Sequence, residues 1–259
     1  MKIITILNIP IHNITFSKAL AEIERMTKSH KLHQVTTINP EFILMAKKND
    51  KFKKVLQKAD LRLIDGVGLQ LAALLQGKHF VERVPGSELV YRLMPKAQKM
   101  GWGIFLLGAE PGVAQMAVSN LNKKYPQLKV WFSGADPDSK STEKSIKYIN
   151  KIEPHILLVA YGAPTQDLWI AENKDKLKAK VAIGVGGTLD FLAKKTKRAP
   201  KIVSKLGFEW LYRLINQPWR LKRQIKLLYF IYLIFREKLS LLHLASSKKK
   251  PTRTYKRKE

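Results

Sequence analysis

The chain has 259 residues, 45% of them hydrophobic, enough for one large core or two small ones. It contains no cysteine, which excludes disulfides, zinc-thiolate sites and a cysteine nucleophile and suits a reducing compartment. Lys and Arg number 48 against 20 Asp and Glu, a formal charge of +28 that calls for a polyanionic partner: nucleic acid, an acidic membrane face or phosphorylated substrates.

The opening Met1-Lys2-Ile3-Ile4-Thr5 has neither a long apolar segment nor a small-residue cleavage site, so no secretory signal is expected. Apolar strands then alternate with helical patterns, the signature of βαβ units and a mainly parallel sheet with helices on both faces. A strand is expected over residues 3–7 and an amphipathic helix over 16–26. The β-rich stretch 33–39 ends in Thr36-Thr37-Ile38-Asn39-Pro40, and Pro40 opens a helix, as proline at the first turn does. A further helix runs to residue 59. The next strand ends in Asp65-Gly66-Val67-Gly68 and leads into a helix over 69–75.

Residues 77–86 read as a loop carrying Arg83, Pro85 and Gly86, followed by a helix over 87–99. Four more strands, over 103–107, 129–132, 155–160 and 181–185, end in small or polar residues. These ends are Gly108-Ala109-Glu110-Pro111-Gly112, Ser133-Gly134-Ala135-Asp136-Pro137-Asp138, Tyr161-Gly162-Ala163-Pro164-Thr165-Gln166-Asp167 and Gly186-Gly187-Thr188. In open α/β sheets ligands bind outside the carboxyl ends of the strands, so these ends line one shared rim.

Composition changes after Lys195. A helix is expected over 200–216, then Gln217-Pro218-Trp219-Arg220, then an apolar run over 227–235 and a basic tail over 248–259 expected to be disordered. The apolar run is far shorter than the ~20 residues a spanning helix needs. The expected organisation is an α/β core over 1–195, a helical membrane-association appendage over 196–245 and a basic tail over 246–259.

Individual residues leave choices open. Asp65 is either a carboxylate at the cleft rim or a helix cap. Gly184-Val185-Gly186-Gly187 either presents backbone N–H groups to a phosphate or makes a tight turn. Asp136-Pro137-Asp138 has the form of a pair that holds Mg²⁺ or Mn²⁺, but its residues are ordinary turn formers and a solvated turn is favoured. None of the six histidines pairs at metal-ligand spacing. Arg198, Arg213, Arg220 and Arg223 crowd the C-terminal region, and Arg binds phosphate oxygens bidentately. Arg220 and Arg223 share a helix face. With the apolar run beside them they read as a helix in a membrane interface, basic side toward anionic head groups, a core helix being the alternative.

Taken together, Thr36-Thr37-Ile38-Asn39-Pro40-Glu41, Asp65-Gly66-Val67-Gly68, Arg83-Val84-Pro85-Gly86, Gly162-Ala163-Pro164-Thr165-Gln166 and Gly186-Gly187-Thr188-Leu189-Asp190-Phe191 resemble the WecG/TagA/CpsF family of bacterial glycosyltransferases. Arg198-Ala199-Pro200, Glu209-Trp210-Leu211-Tyr212-Arg213-Leu214, Pro218, Arg220 and Arg223 extend the likeness, which covers residues 5 to 235. The resemblance implies a Rossmann-like fold and an inverting, metal-independent transferase without a cofactor, peripheral on the cytoplasmic face of the plasma membrane, with an oligomeric core. The implied donor is a UDP-sugar, above all UDP-N-acetylmannosamine. The implied acceptor is polyprenyl-diphosphate-linked N-acetylglucosamine, as in the linkage unit of wall teichoic acid.

On that basis Asp65 is the expected general base and Arg83 the group that neutralises the leaving UDP. Thr37, Asn39 and Gln166 would hold sugar groups. Gly186, Gly187 and Asp190 would contact the nucleotide, and Arg213, Arg220 and Arg223 the diphosphate of donor or acceptor, beside an anionic membrane surface. One departure stands out: the family usually has Glu after the Gln of the Gly-x-Pro motif, and here it is Asp167. Other UDP-sugar donors remain open. A non-catalytic basic membrane- or nucleic-acid-binding protein is the reading from a different class. Nucleic acid is not the expected partner, because the aromatics do not interleave with basic residues on a strand face.

Overall fold

The computed structural model describes residues 1–196, 209–216 and 221–247. The chain opens with a hairpin of β1 (Ile3–Ile6) and β2 (Ile9–His12), where the sequence reads as one strand. Leu7 and Asn8 turn the chain with φ of 45° and 66°, the primed geometry whose twist suits a two-residue hairpin. Leu-Asn is an unusual pair for such a turn, and Pro10 argues against a strand in sequence. In this small sheet Pro10 stands opposite Thr5, with no central ladder to break.

The main sheet comprises β3 (His33–Ile38), β4 (Leu61–Ile64), β5 (Gly103–Gly108), β6 (Lys129–Ser133), β7 (Ile156–Ala160) and β8 (Val181–Gly184). All six strands are parallel, in the order β4-β3-β8-β7-β5-β6. β3, β5, β7 and β8 are buried on both faces, which explains the unbroken apolar runs of β5, β7 and β8, while β3 buries His33, Gln34, Thr36 and Thr37 among its residues.

One face is covered by α1 (Phe16–Thr27), α5 (Gly86–Met100), α6 (Val113–Lys124) and α9 (Thr188–Leu192), packed on Val35, Leu63, Leu106 and Leu158. On the other, α7 (Ser139–Ile152) and α8 (Thr165–Glu172) pack on Phe105, Leu157 and Ala182. At the β4 end, the hairpin joins α2 (Pro40–Lys48), α3 (Asp50–Lys58) and α4 (Val67–Leu75) in a third cluster with Ile38 and Ile64. Thr15 caps α1, Asn39 caps α2 and Asn49 caps α3 through their side-chain oxygens.

Two helices follow the core, α10 (Glu209–Asn216) and the 27-residue α11 (Leu221–Ser247). The apolar run of α11 divides between the two readings of the sequence. Phe230, Leu233 and Ile234 are buried in the third cluster against α2 and α4. Ile225, Leu228, Tyr229, Tyr232, Phe235 and Leu239 lie on the exposed side of the same helix. Among the described residues, no helix is long and apolar enough to cross a membrane.

The connectivity sets where a ligand can sit. The chain leaves β5 toward β6 on one side and leaves β7 toward β8 on the other. The carboxyl ends of β5 and β7 therefore flank a topological switch point, the usual crevice of such sheets.

Candidate active site

Asp65 lies just past the carboxyl end of β4. Its backbone N–H donates to the Ile38 carbonyl at 2.7 Å, which ties it to the end of β3. It does not cap α4: the N-cap position is Gly66, with φ of 100°. The Asp65 carboxylate instead accepts the Gly86 N–H at Oδ2, 3.3 Å away. The Val84 N–H donates to the Ile64 carbonyl at 2.9 Å, so Arg83-Val84-Pro85-Gly86 runs alongside Ile64-Asp65. Arg83 is half-buried next to this junction. The loop before it is held in place by Asn13, which bonds the His79 carbonyl and the Val81 N–H, and by Glu82, which accepts the Phe16 N–H at 2.6 Å.

Thr37 joins the same group. A Cβ on Gly86 would stand 2.7 Å from Thr37 Oγ1, so α5 begins directly over the Thr37 side chain. Thr37, Asp65 and the Arg83–Gly86 run thus come from three separate stretches to one end of the sheet. Asn39, placed by its sequence among the sugar-binding residues, has its Oδ1 committed to the N–H groups of Glu41 and Phe42. Only its amide nitrogen is left for a ligand.

A second group forms at the ends of β7 and β8. Gln166 accepts the Gly186 N–H at Oε1, 2.9 Å away. A Cβ on Gly184 would lie 2.6 Å from Gln166 Nε2, so the amide packs flat against the end of β8. Gln166 is only 3% exposed and acts first as a brace for the glycine turn. Asp190 closes the turn from the other side, with Oδ2 within 3.2 Å of where a Cβ on Gly187 would be. Asp167 is 1% exposed, and neither of its carboxyl oxygens has a hydrogen-bond partner among the described residues. Burial pushes its pKa up to about 7, with the Gln166 amide drawing it back.

Asp136 and Asp138 lie at the edge of the sheet. Asp138 accepts the Ser141 N–H and caps α7, the role of a turn residue. Tyr161, which the sequence reading did not single out, packs over Gly108, where a Cβ would meet its ring at 2.6 Å. Burial and the nearby Asp136 and Asp138 push the Tyr161 hydroxyl pKa upward. Gly86 and Gly184 were likewise not legible as close contacts, since the partners they accommodate are distant in sequence.

The C-terminal helix reaches the first group. A Cβ on Gly68 would lie 2.8 Å from Pro40 Cγ and 2.9 Å from Leu227 Cδ1. α11 therefore crosses the Asp65-Gly66-Val67-Gly68 turn near its own start, and Leu227 follows Arg223 by about one helical turn. Arg198, Arg220 and the side chains of Arg213 and Arg223 lie outside the described residues.

The family model for the "Glycosyl transferase WecG/TagA/CpsF family" matches residues 4–243. The chain is 31% identical over 236 residues to the N-acetylglucosaminyldiphosphoundecaprenol N-acetyl-beta-D-mannosaminyltransferase of Bacillus subtilis (strain 168), covering 90% of this chain and 91% of the relative. It is 28% identical over 237 residues to the protein of the same name from Staphylococcus aureus (strain MRSA252), covering 91% and 93%. With the Bacillus spizizenii (strain ATCC 23059 / NRRL B-14472 / W23) protein of that name it shares 29% over 193 residues, 74% and 75% of the two chains. A parallel α/β sheet with polar groups gathered at its carboxyl ends, matched along nearly its whole length, makes this chain a member of the WecG/TagA/CpsF family of glycosyl transferases.

Proposed function

We propose that the protein transfers N-acetylmannosamine from UDP-N-acetylmannosamine to a polyprenyl-diphosphate-linked N-acetylglucosamine, with Asp65 as general base. The observation that carries this reading is the Asp65–Gly86–Thr37 junction, which holds a carboxylate at the carboxyl end of the sheet, between the Gly66 turn and the start of α5. The names of its relatives support the acceptor and the transferred sugar.

In the proposed step the acceptor hydroxyl oxygen attacks the anomeric carbon. The bond from that carbon to the UDP oxygen breaks, and UDP leaves with the electron pair. The hydroxyl proton passes to Asp65, a transfer worth 10²–10⁴-fold in general-base catalysis. Arg83 offsets the charge that develops on the leaving diphosphate. Thr37 and the amide nitrogen of Asn39 hold the sugars, while the Gly186-Gly187 turn, braced by Gln166 and Asp190, receives the nucleotide. Arg213, Arg220 and Arg223 engage a diphosphate, and the approach of Leu227 to Gly68 supports the arrival of Arg223, one turn earlier on α11, beside the Asp65 turn.

The exposed face of α11 rests on the inner surface of the membrane in this reading. Its Tyr229, Tyr232 and Phe235 suit the interface, and the charge of +28 suits anionic head groups.

The test is radiolabelled transfer from UDP-N-acetylmannosamine to a short-chain polyprenyl-diphosphate N-acetylglucosamine, with EDTA present. Transfer by the wild type and a loss of ~100-fold or more in Asp65→Asn would support both reaction and base. Equal transfer by the two proteins would remove Asp65 from its role. Absence of transfer by the wild type would overturn the choice of donor and acceptor.

A further inference from the structure

Gln166 and Asp167 are consecutive, both buried, and do opposite things. Gln166 braces the turn after β8 through the Gly186 N–H and its packing on Gly184. Asp167 buries a carboxyl whose oxygens have no well-aligned partner among the described residues, the neighbouring Gln166 amide being the polar group that acts on it. It cannot swing out easily, because the Gln34 Nε2 donates to its backbone carbonyl at 2.9 Å and pins the first turn of α8 to β3. Thr36, two residues along the same strand and so on the same face as Gln34, also has a buried hydroxyl without a partner among the described residues. A buried carboxyl without a charged partner costs stability when ionised, and the Gln166 amide offsets only part of that cost.

Among the described residues no charged side chain acts on Asp167; burial raises its pKa and the Gln166 amide lowers it. The elements packed against α8 explain why. β7 and β8 carry no ionisable side chain. On β3, His33 is bonded to Asp60, which also takes Lys174 from the turn after α8. On α3, Lys51, Lys54, Lys58 and Asp50 are exposed and Lys53 partly so, while Glu172 at the far end of α8 and Asp175 and Lys176 in the turn after it are exposed too. With no charged partner among the described residues, the carboxyl is sensitive to any new charge nearby.

We propose that Asp167 is a positioning residue that, through Gln166, couples the uptake of a proton to the binding of a nucleoside diphosphate sugar at the Gly184–Gly187 turn. The inference rests on the reading of that turn as a nucleotide contact. Asp167 is the next residue after Gln166, whose amide touches that turn, so an ionised Asp167 adds a buried negative charge beside the brace of the turn, and protonation removes it. Linkage is reciprocal: if protonation favours the nucleotide, the nucleotide favours protonation. Affinity then falls as pH rises through 7, by up to ~10-fold per pH unit for a single coupled proton.

Calorimetric titration of the full chain with UDP-N-acetylmannosamine tests this, in two buffers of different ionisation heat near neutral pH. The diphosphate of that probe is a diester and does not itself titrate there. Uptake of a fraction of a proton by the wild type, and none by Asp167→Asn, is the expected result. Equal uptake by the two proteins, or none by the wild type, overturns the coupling while leaving the nucleotide site intact. Absence of binding by the wild type overturns the nucleotide reading and the coupling with it. A second readout needs no variant: the infrared carbonyl band of the buried protonated carboxyl should persist to higher pH when the nucleotide sugar is bound, and an unmoved band overturns the coupling.

Discussion

The backbone N–H of Gly86 donates to the Asp65 carboxylate at 3.3 Å, while the missing side chain of the same glycine makes room for Thr37 beneath it. One residue thus orients the proposed base and sets the height of the helix above its neighbour. Gly86→Ala would put a methyl 2.7 Å from Thr37 Oγ1, and either Thr37 or the start of α5 must move. We expect transfer to drop at least ~10-fold, with a stability loss of about 1–3 kcal/mol typical of overpacking. Steady-state kinetics beside thermal unfolding would check it; an unchanged rate would show that the junction tolerates displacement.

Gly184→Ala acts on the second group. The new Cβ would collide with the Gln166 amide at 2.6–2.9 Å and push Oε1 away from the Gly186 N–H. The expected outcome is a loss of about 1–3 kcal/mol with weaker nucleotide binding. Urea unfolding and UDP-sugar titration would measure the two effects separately.

The pH dependence of stability should carry the mark of Asp167. Its folded pKa of about 7 lies above the ordinary value of 3.8, because burial disfavours the charged form. Between those values the folded protein binds more protons than the unfolded chain, so stability falls as pH rises through this window and levels off above it. Asp167→Asn removes the term. The variant should gain on the wild type by up to about 4 kcal/mol from low pH to above neutrality, an upper bound from one buried group. Urea midpoints at about pH 5 and about pH 8 would reveal the crossing trend; parallel profiles would count against it.

The two sides of α11 predict opposite phenotypes. Leu233→Ala empties a position in the core cluster and should cost about 2–5 kcal/mol. Replacing Tyr229, Tyr232 and Phe235 with serine touches exposed side chains and should leave the unfolding midpoint nearly unchanged. The triple variant should instead lose sedimentation with phosphatidylglycerol vesicles. Retained binding would assign the vesicle contact to the basic residues alone.

The framework was legible because its signals are local. Glycines and polar residues followed the apolar runs, Pro40 marked the start of a helix, and the order of motifs matched one family. β1–β2 escaped because its turn pair is uncommon and its strand contains Pro10, features made acceptable only by the hairpin's own pairing. Asn39 was legible as part of a motif but not as a cap whose oxygen is already occupied.

The chain's pattern of apolar runs and punctuating glycines was sufficient for the parallel α/β class, since strand and helix periodicity are properties of consecutive residues. Its charge and missing cysteines were sufficient to exclude whole families of chemistry. The joining of Asp65 to Gly86 and Thr37, of Gln166 to Gly184 and Gly186, and of Leu227 to Gly68 was decided by the tertiary structure alone. So were the burial of Asp167 and the division of α11 into a core face and an exposed face. Each depends on atoms brought together across tens of residues or more by the strand order and the helices folded over it. Such contacts leave no periodicity along the chain.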